Sequence, residues 1–396
     1  MMVHLPSDRS FLMKPVTIRT INLHPIALPF VEPLRTSFGM EPFKAAILIE
    51  ILTEEGVTGW GEAAVAPEPG YTGETVATAY HLLKHYLAPA VLGKTITDPY
   101  QAREMLHHVR DNKHARAGLE GAVWDAFAKV NQIRLADLFA SYLPPDHAST
   151  NRAVVGVSIG IQPSVEETVA IIRKRLDQGY KRIKLKIAPG WDVDLARGVR
   201  QVFPDVMLML DANSAYTLAD AEHLKQLDAF NLIMIEQPLS HDDIYEHSKL
   251  QPQLKTPVCL DESIKSANDL RLALQVGAIG VLNLKPARVG GFAEALDIYR
   301  VATEHRLPLW VGGMLETGIG RAQNVAFASL PGITLPCDIS ATDRYFRQDI
   351  TEPPFVLNAD STLNVPQGFG IGVEVIQDRV KAATDLWYAQ NYYPIG

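Results

Sequence analysis

Six ionisable residues define the chemistry open to this sequence. Lys184 and Lys186 stand two apart, Asp211, Glu236 and Asp261 follow, and Lys285 ends the series. From Lys186 onward the successive intervals are 25, 25, 25 and 24 residues. Three carboxylates brought together offer hard oxygen ligands with room for water, a set suited to octahedral Mg²⁺, for which Mn²⁺ can substitute. With no cation among them their mutual repulsion would keep at least one protonated. Lysines on either side of such a centre point to proton abstraction next to a substrate carboxylate, where a cation stabilises the enediolate charge as it develops. Free lysine is too basic for this task at neutral pH. The cation and a second ammonium, Lys184 beside Lys186, are both expected to disfavour the protonated form of Lys186 and lower its pKa.

Each of these residues has a plain explanation when taken singly. Lys-x-Lys is commonly a solvated strand end, and an acid after a strand commonly caps the next helix. Five successive repeats in phase are not explained by capping, and they point to one shared site. Asn213 and Glu262 lie beyond the main set and are either site contacts or loop structure. The twelve histidines show no ligand spacing.

The elements that must position these groups are legible from the same period. Short apolar runs end at Ser158, Ile187, Asp211, Glu236, Asp261, Lys285, Gly312 and Asp338, which makes eight predicted strands. Continuous apolar runs read as parallel strands buried on both faces, and about 25 residues suit one strand, one crossover helix and two loops. Eight such units close into a barrel with its reactive groups at the strands' C-terminal ends. Side chains two apart share a face, so Lys184 and Lys186 point together into the mouth, as do Asp211 and Asn213.

The remainder of the chain frames this barrel. Residues 1–12, with Asp8 and Arg9 and no apolar core of a signal peptide, are expected to be a disordered extension. Residues 13–150 form an α+β capping domain, beginning with strands and a hairpin at Thr53-Glu54-Glu55-Gly56. Helical periodicity follows over Thr75 to Leu92 and over Pro99 to Leu138, the latter broken at Gly118, Gly121 and the polar Asp111 to Arg116 stretch. A linker at Leu143 to Thr150 leads into the barrel, 151–350, and residues 351–396 are expected to return to the cap. A net charge of −8 over 396 residues excludes the dense basic face of a nucleic-acid binder. No apolar run has the length of a membrane span. Cys259 and Cys337, the two cysteines, fall on predicted strands and are expected to be free and buried, which suits a reducing cytoplasm.

Lys184-Leu185-Lys186, Asp211-Ala212-Asn213, Glu236-Gln237-Pro238, Asp261-Glu262-Ser263 and Lys285 together resemble the muconate-lactonising subgroup of the enolase superfamily. Three longer motifs, Ile187 to Asp192, Lys285 to Gly291 and Gly312 to Arg321, are similar to o-succinylbenzoate synthases and N-succinylamino acid racemases. The resemblance spans the whole chain. It implies a modified (β/α)8-type barrel of the (β/α)7β kind under an α+β cap, with Mg²⁺ on Asp211, Glu236 and Asp261. Lys186 and Lys285 become acid/base residues on opposite faces of a small carboxylate substrate bearing a succinyl or N-acyl group. In the synthase reaction, a step of menaquinone biosynthesis, Lys186 takes the α-proton, water leaves and Lys285 stabilises the enediolate. In the racemase both lysines exchange protons. Ser158, Lys184, Asn213, Gly313 and Met314 match positions that hold substrate carboxylates, and Phe38 and Tyr71 match cap-loop contacts. Arg288 resembles an arginine associated with racemising members, and Cys337 replaces a more usual glycine. A homo-oligomer is the family expectation.

Three readings compete. A dipeptide epimerase would use the same five groups but carries Asp-x-Asp on strand eight, where this sequence has Asp338 and Ser340. A muconate-type cycloisomerase shares the chemistry. A catalytically silent metal-binding barrel is opposed by the two intact lysines.

Overall fold

The computed structural model describes residues 13–36, 39–145 and 147–390. In the cap, β1 (Val16–Thr36), β2 (Gly39–Thr53) and β3 (Thr58–Ala63) form an antiparallel sheet. The β2–β3 hairpin turns at Gly56, whose φ of +77° is the left-handed region where only glycine is unstrained. A helix, α1 (Lys113–Val130), packs across this sheet and is buried along most of its length. It runs straight through Gly118 and Gly121, where the sequence pattern predicts breaks. A Cβ on Gly61 would lie 2.0 Å from the Gly118 carbonyl, and one on Gly118 would lie 2.5 Å from the Ala63 nitrogen. These glycines let helix and sheet backbones touch. The real interruption precedes α1, at Asp111 and Asn112, both with positive φ.

Seven parallel strands form the barrel wall in sequential order: β4 (Val157–Ile159), β5 (Arg182–Lys186), β6 (Met207–Asp211), β7 (Ile235–Glu236), β8 (Val258–Leu260), β9 (Val281–Leu284) and β10 (Leu309–Val311). The first predicted strand shifts, because Arg152–Val154 pairs antiparallel with Thr362–Asn364 instead of entering the wall. The eighth is not a strand. Residues 337 and 338 close the ring through two isolated parallel bridges, Cys337 to Val155 and Asp338 to Gly312. The Cys337 and Asp338 amides donate to the Val154 and Val311 carbonyls at 2.8 and 2.9 Å. Pro336 lacks the amide hydrogen a longer ladder would need.

Crossover helices carry their own start signals. Ser164 accepts from the Glu167 amide at 3.2 Å to cap the helix Val165–Asp177, and Ser266 does the same for Ala267–Val276. The C-terminal helix Gln377–Ala389 lies against β1, and the Ile371 amide donates to Asp125 of α1 at 2.7 Å. Both cysteines are free and buried. Among the described residues no helix is long and apolar enough to cross a membrane.

Candidate active site

The register of the wall sets the site. Lys186 on β5 pairs with Asp211 on β6, and Asp211 pairs with Glu236 on β7, so three ionisable groups stand side by side at the strands' C-terminal ends. Asp261 follows β8 and Lys285 follows β9. Asp211, Glu236 and Asp261 are at most 1% exposed. A carboxylate that deep must be compensated.

Compensation comes from cations on the same wall. Lys184 Nζ lies 3.2 Å from Asp211 Oδ2, 3.1 Å from Glu236 Oε2 and 2.8 Å from Asp338 Oδ2. Lys186 Nζ donates to Asp211 Oδ2 at 2.6 Å and Asn213 Oδ1 at 2.5 Å. At the far side, Lys285 Nζ donates to Asp261 Oδ2 at 2.7 Å and Arg288 Nε to Asp261 Oδ1 at 3.1 Å. Tyr71, from the cap, meets that cluster. Its hydroxyl donates to Asp261 Oδ2 at 2.9 Å, accepts from Lys285 Nζ at 2.6 Å and contacts the Arg288 guanidinium. Asn283 Nδ2 secures the remaining Glu236 oxygen at 2.6 Å.

A cavity between cap and barrel receives Ser158, Lys184, Lys186, Asn213, Lys285, Gly313, Met314 and Tyr71 on its wall. Gly313 must be glycine, since a Cβ there would come within 2.6 Å of the Asp338 carbonyl. Two expected residues stand behind the wall. Glu262 accepts from Asn213 Nδ2 at 3.1 Å, and Arg288 is buried against Asp261 and Tyr71. Phe38 lies outside the described residues.

Two profile matches cover most of the chain. Residues 167–379 match the enolase C-terminal domain-like family, and residues 18–140 match the N-terminal domain of the mandelate racemase / muconate lactonizing enzyme family. The chain belongs to this family. It is 44% identical over 371 residues to an o-succinylbenzoate synthase of Geobacillus kaustophilus, covering 94% of this chain and 97% of the relative. It is also 44% identical to an N-succinylamino acid racemase of Thermus thermophilus, over 93% and 98% of the two chains. A solved enolase-superfamily structure from Listeria innocua superposes with a TM-score of 0.88 at 41% identity, covering 93% of this chain and 97% of that one.

Enzymes of this superfamily are divalent-metal dependent, and the carboxylates can be tested for fit. Burial, and then the charge of neighbouring Asp211, push the Glu236 carboxyl up to about 8. Asp261 and Asp211 overcome their burial through nearby cations, Arg288 and Lys285 for the first and Lys186 and Lys184 for the second, and are held below the usual carboxylate range. Glu236 therefore carries a like-charge conflict that a cation would relieve, and three oxygen donors from successive strands fit that role. Among the described residues no three acidic, histidine or cysteine side chains already stand in ligating positions. Each carboxylate is turned to a lysine, arginine or asparagine. Burial opposes the charge of Lys184, yet Asp338, Glu236 and Asp211 raise its pKa well above the usual lysine value.

Four charged wall residues are not singled out as site groups by the sequence pattern: Glu41, Lys44, Asp338 and Arg344. Asp338 ends the eighth apolar run and was available to the rule that found the others. Lys44 is a single charge opening the apolar stretch of β2, a fainter signal. Arg344 lies past the last repeat, where no period points to it.

Proposed function

We propose that this protein removes and returns a proton α to a carboxylate, acting as an o-succinylbenzoate synthase, as an N-succinylamino acid racemase, or as both. The observation that carries the reading is the pair of lysines, Lys186 and Lys285, placed at the ends of strands four apart in the wall with the three carboxylates at the strand ends between them. Relatives with either name match nearly the full chain at the same identity, which supports the pair of activities over one alone.

Asp211, Glu236 and Asp261 would hold the divalent ion, for which we propose Mg²⁺, with Mn²⁺ able to replace it. When bound it supplies a Lewis acid beside the substrate carboxylate. The remaining work belongs to side chains. Lys184, fixed by three carboxylates, stays protonated and draws the substrate carboxylate into register. Lys186 in its neutral form takes the α-proton from one face, breaking C–H and leaving its electron pair on the carboxylate-conjugated carbon. In the dehydration this pair expels the β-hydroxyl, which takes the proton now held by Lys186 and leaves as water, while Lys285 remains an ammonium that stabilises the charge. In the racemisation Lys285 delivers a proton to the opposite face, and the roles reverse for the other enantiomer. Tyr71 and Asp261 aim Lys285 through its short hydrogen bonds.

A paired assay tests the reading: dehydration of 2-succinyl-6-hydroxy-2,4-cyclohexadiene-1-carboxylate and racemisation of N-succinyl amino acids, compared as kcat/KM. Turnover of neither substrate with Mg²⁺ or Mn²⁺ present would overturn it.

A further inference from the structure

The cavity has a second cationic end, away from the lysine pair. Arg344 lies on the short helix Thr342–Tyr345, just past the residues that close the barrel, and lines the cavity. Its side chain is only 9% exposed. Its donors are sparsely used: Nη2 reaches the Ser158 carbonyl at 3.3 Å, Nη1 stands 3.8 Å from Glu32 Oε2, and Nε is buried with no partner among the described residues. Glu32 is already committed to Lys174 and Arg175, each at 2.9 Å. Three cations thus share one carboxylate, and the surplus positive charge faces the cavity through Arg344. Ser158 ties this end to the reaction centre, since its hydroxyl donates to Asp338 Oδ2 at 2.6 Å and Asp338 holds Lys184 at 2.8 Å. At the other cationic wall position, Lys44 already donates to the Met314 carbonyl at 3.0 Å and faces Glu62. That charge is spoken for.

We propose that Arg344 binds the distal carboxylate of a dicarboxylic acyl group, the free end of the succinyl chain, and so sets the preference for succinyl over uncharged acyl substrates. The inference rests on the function proposed above. A planar guanidinium with unfilled donors suits a carboxylate, and its burial makes each charge-assisted bond count.

The test compares racemisation of an N-succinyl amino acid with that of its N-butanoyl counterpart, similar in chain length without the distal charge. Both are measured in the wild type, Arg344→Gln and Arg344→Lys. The ratio of the two kcat/KM values should fall about ten- to a hundred-fold in Arg344→Gln, mostly through KM for the succinyl substrate, and less in Arg344→Lys. Equal losses on both substrates, or an unchanged ratio, overturn the proposal while leaving the proposed function standing. A wild type that racemises neither substrate and dehydrates nothing overturns both. If Arg344→Gln does not fold, the ratio in Arg344→Lys decides, because a point charge keeps the attraction and loses the two-pronged geometry.

Discussion

Lys186 and Lys285 are held by different partners, and this makes them separable by experiment. Each should serve one face of a substrate pinned by its carboxylate. We expect Lys186→Arg and Lys285→Arg to abolish racemisation in both directions, while each variant still exchanges the α-proton of one enantiomer with deuterium oxide. Near wild-type exchange of both enantiomers by either variant would rule out two bases. A second expectation concerns the carboxylates: Asp211→Asn or Glu236→Gln should lower the rate by at least about 10²-fold, and chelation should silence the wild type. Full turnover after exhaustive chelation would remove the metal from the scheme. Tyr71→Phe deletes a hydroxyl shared by Lys285, Asp261 and Arg288. It should lower kcat and shift acyl preference with little change in unfolding temperature, and an unaltered kinetic profile would dismiss Tyr71. The lysines and acids were legible because a strand end fixes where a side chain points. Arg344 was not, since a residue on a short helix past the last repeat gains its meaning only from what the chain folds next to it.

At the level of elements, the repeat revealed the wall because parallel strands buried on both faces must be apolar throughout, and crossovers keep the spacing regular. It overstated the last strand. Pro336 leaves room for two bridges only, and hydrophobicity alone does not register a missing amide hydrogen. Propensity treats the glycines of α1 as weak points for a related reason, whereas β3 approaches Gly118 so closely that any side chain is excluded, and a Cβ on Gly121 would meet the Gln323 side chain at about 3 Å. Gly61→Ala or Gly118→Ala should therefore destabilise the protein by about 1–3 kcal/mol, the usual cost of overpacking a tight contact. Thermal unfolding measures it. A midpoint equal to wild type in both variants would mean that the cap sheet and helix can separate freely.

Across the whole molecule, the cap grips the barrel through buried acids. Glu120 of α1 accepts from the Ala293 amide at 2.8 Å, at the start of the barrel helix Phe292–Glu304, and from Trp124 Nε1 at 3.0 Å. Glu62 of β3 accepts from the Thr317 and Gly320 amides at 3.0 and 3.2 Å, at the start of Gly318–Ala328. Burial pushes both carboxyls from 4.5 up to about 7. A folded value above the unfolded one means that the native state holds the extra proton in between. Their stabilising contribution is present in full below 4.5 and is lost as pH rises through about 7. Glu120→Gln should flatten the fall of the unfolding midpoint across this window, and an unchanged slope would show that Glu120 does not titrate there. The bridged closure of the barrel has its own consequence. The groups proposed to move the proton stand along β5 to β9, while Asp338, Ser158 and Arg344 gather at the seam that isolated bridges close. If Arg344 sets the acyl preference as proposed, a lineage can exchange one preference for another by rewriting that residue alone, while Asp338 and Ser158, tied to Lys184, stay in place with the rest of the site.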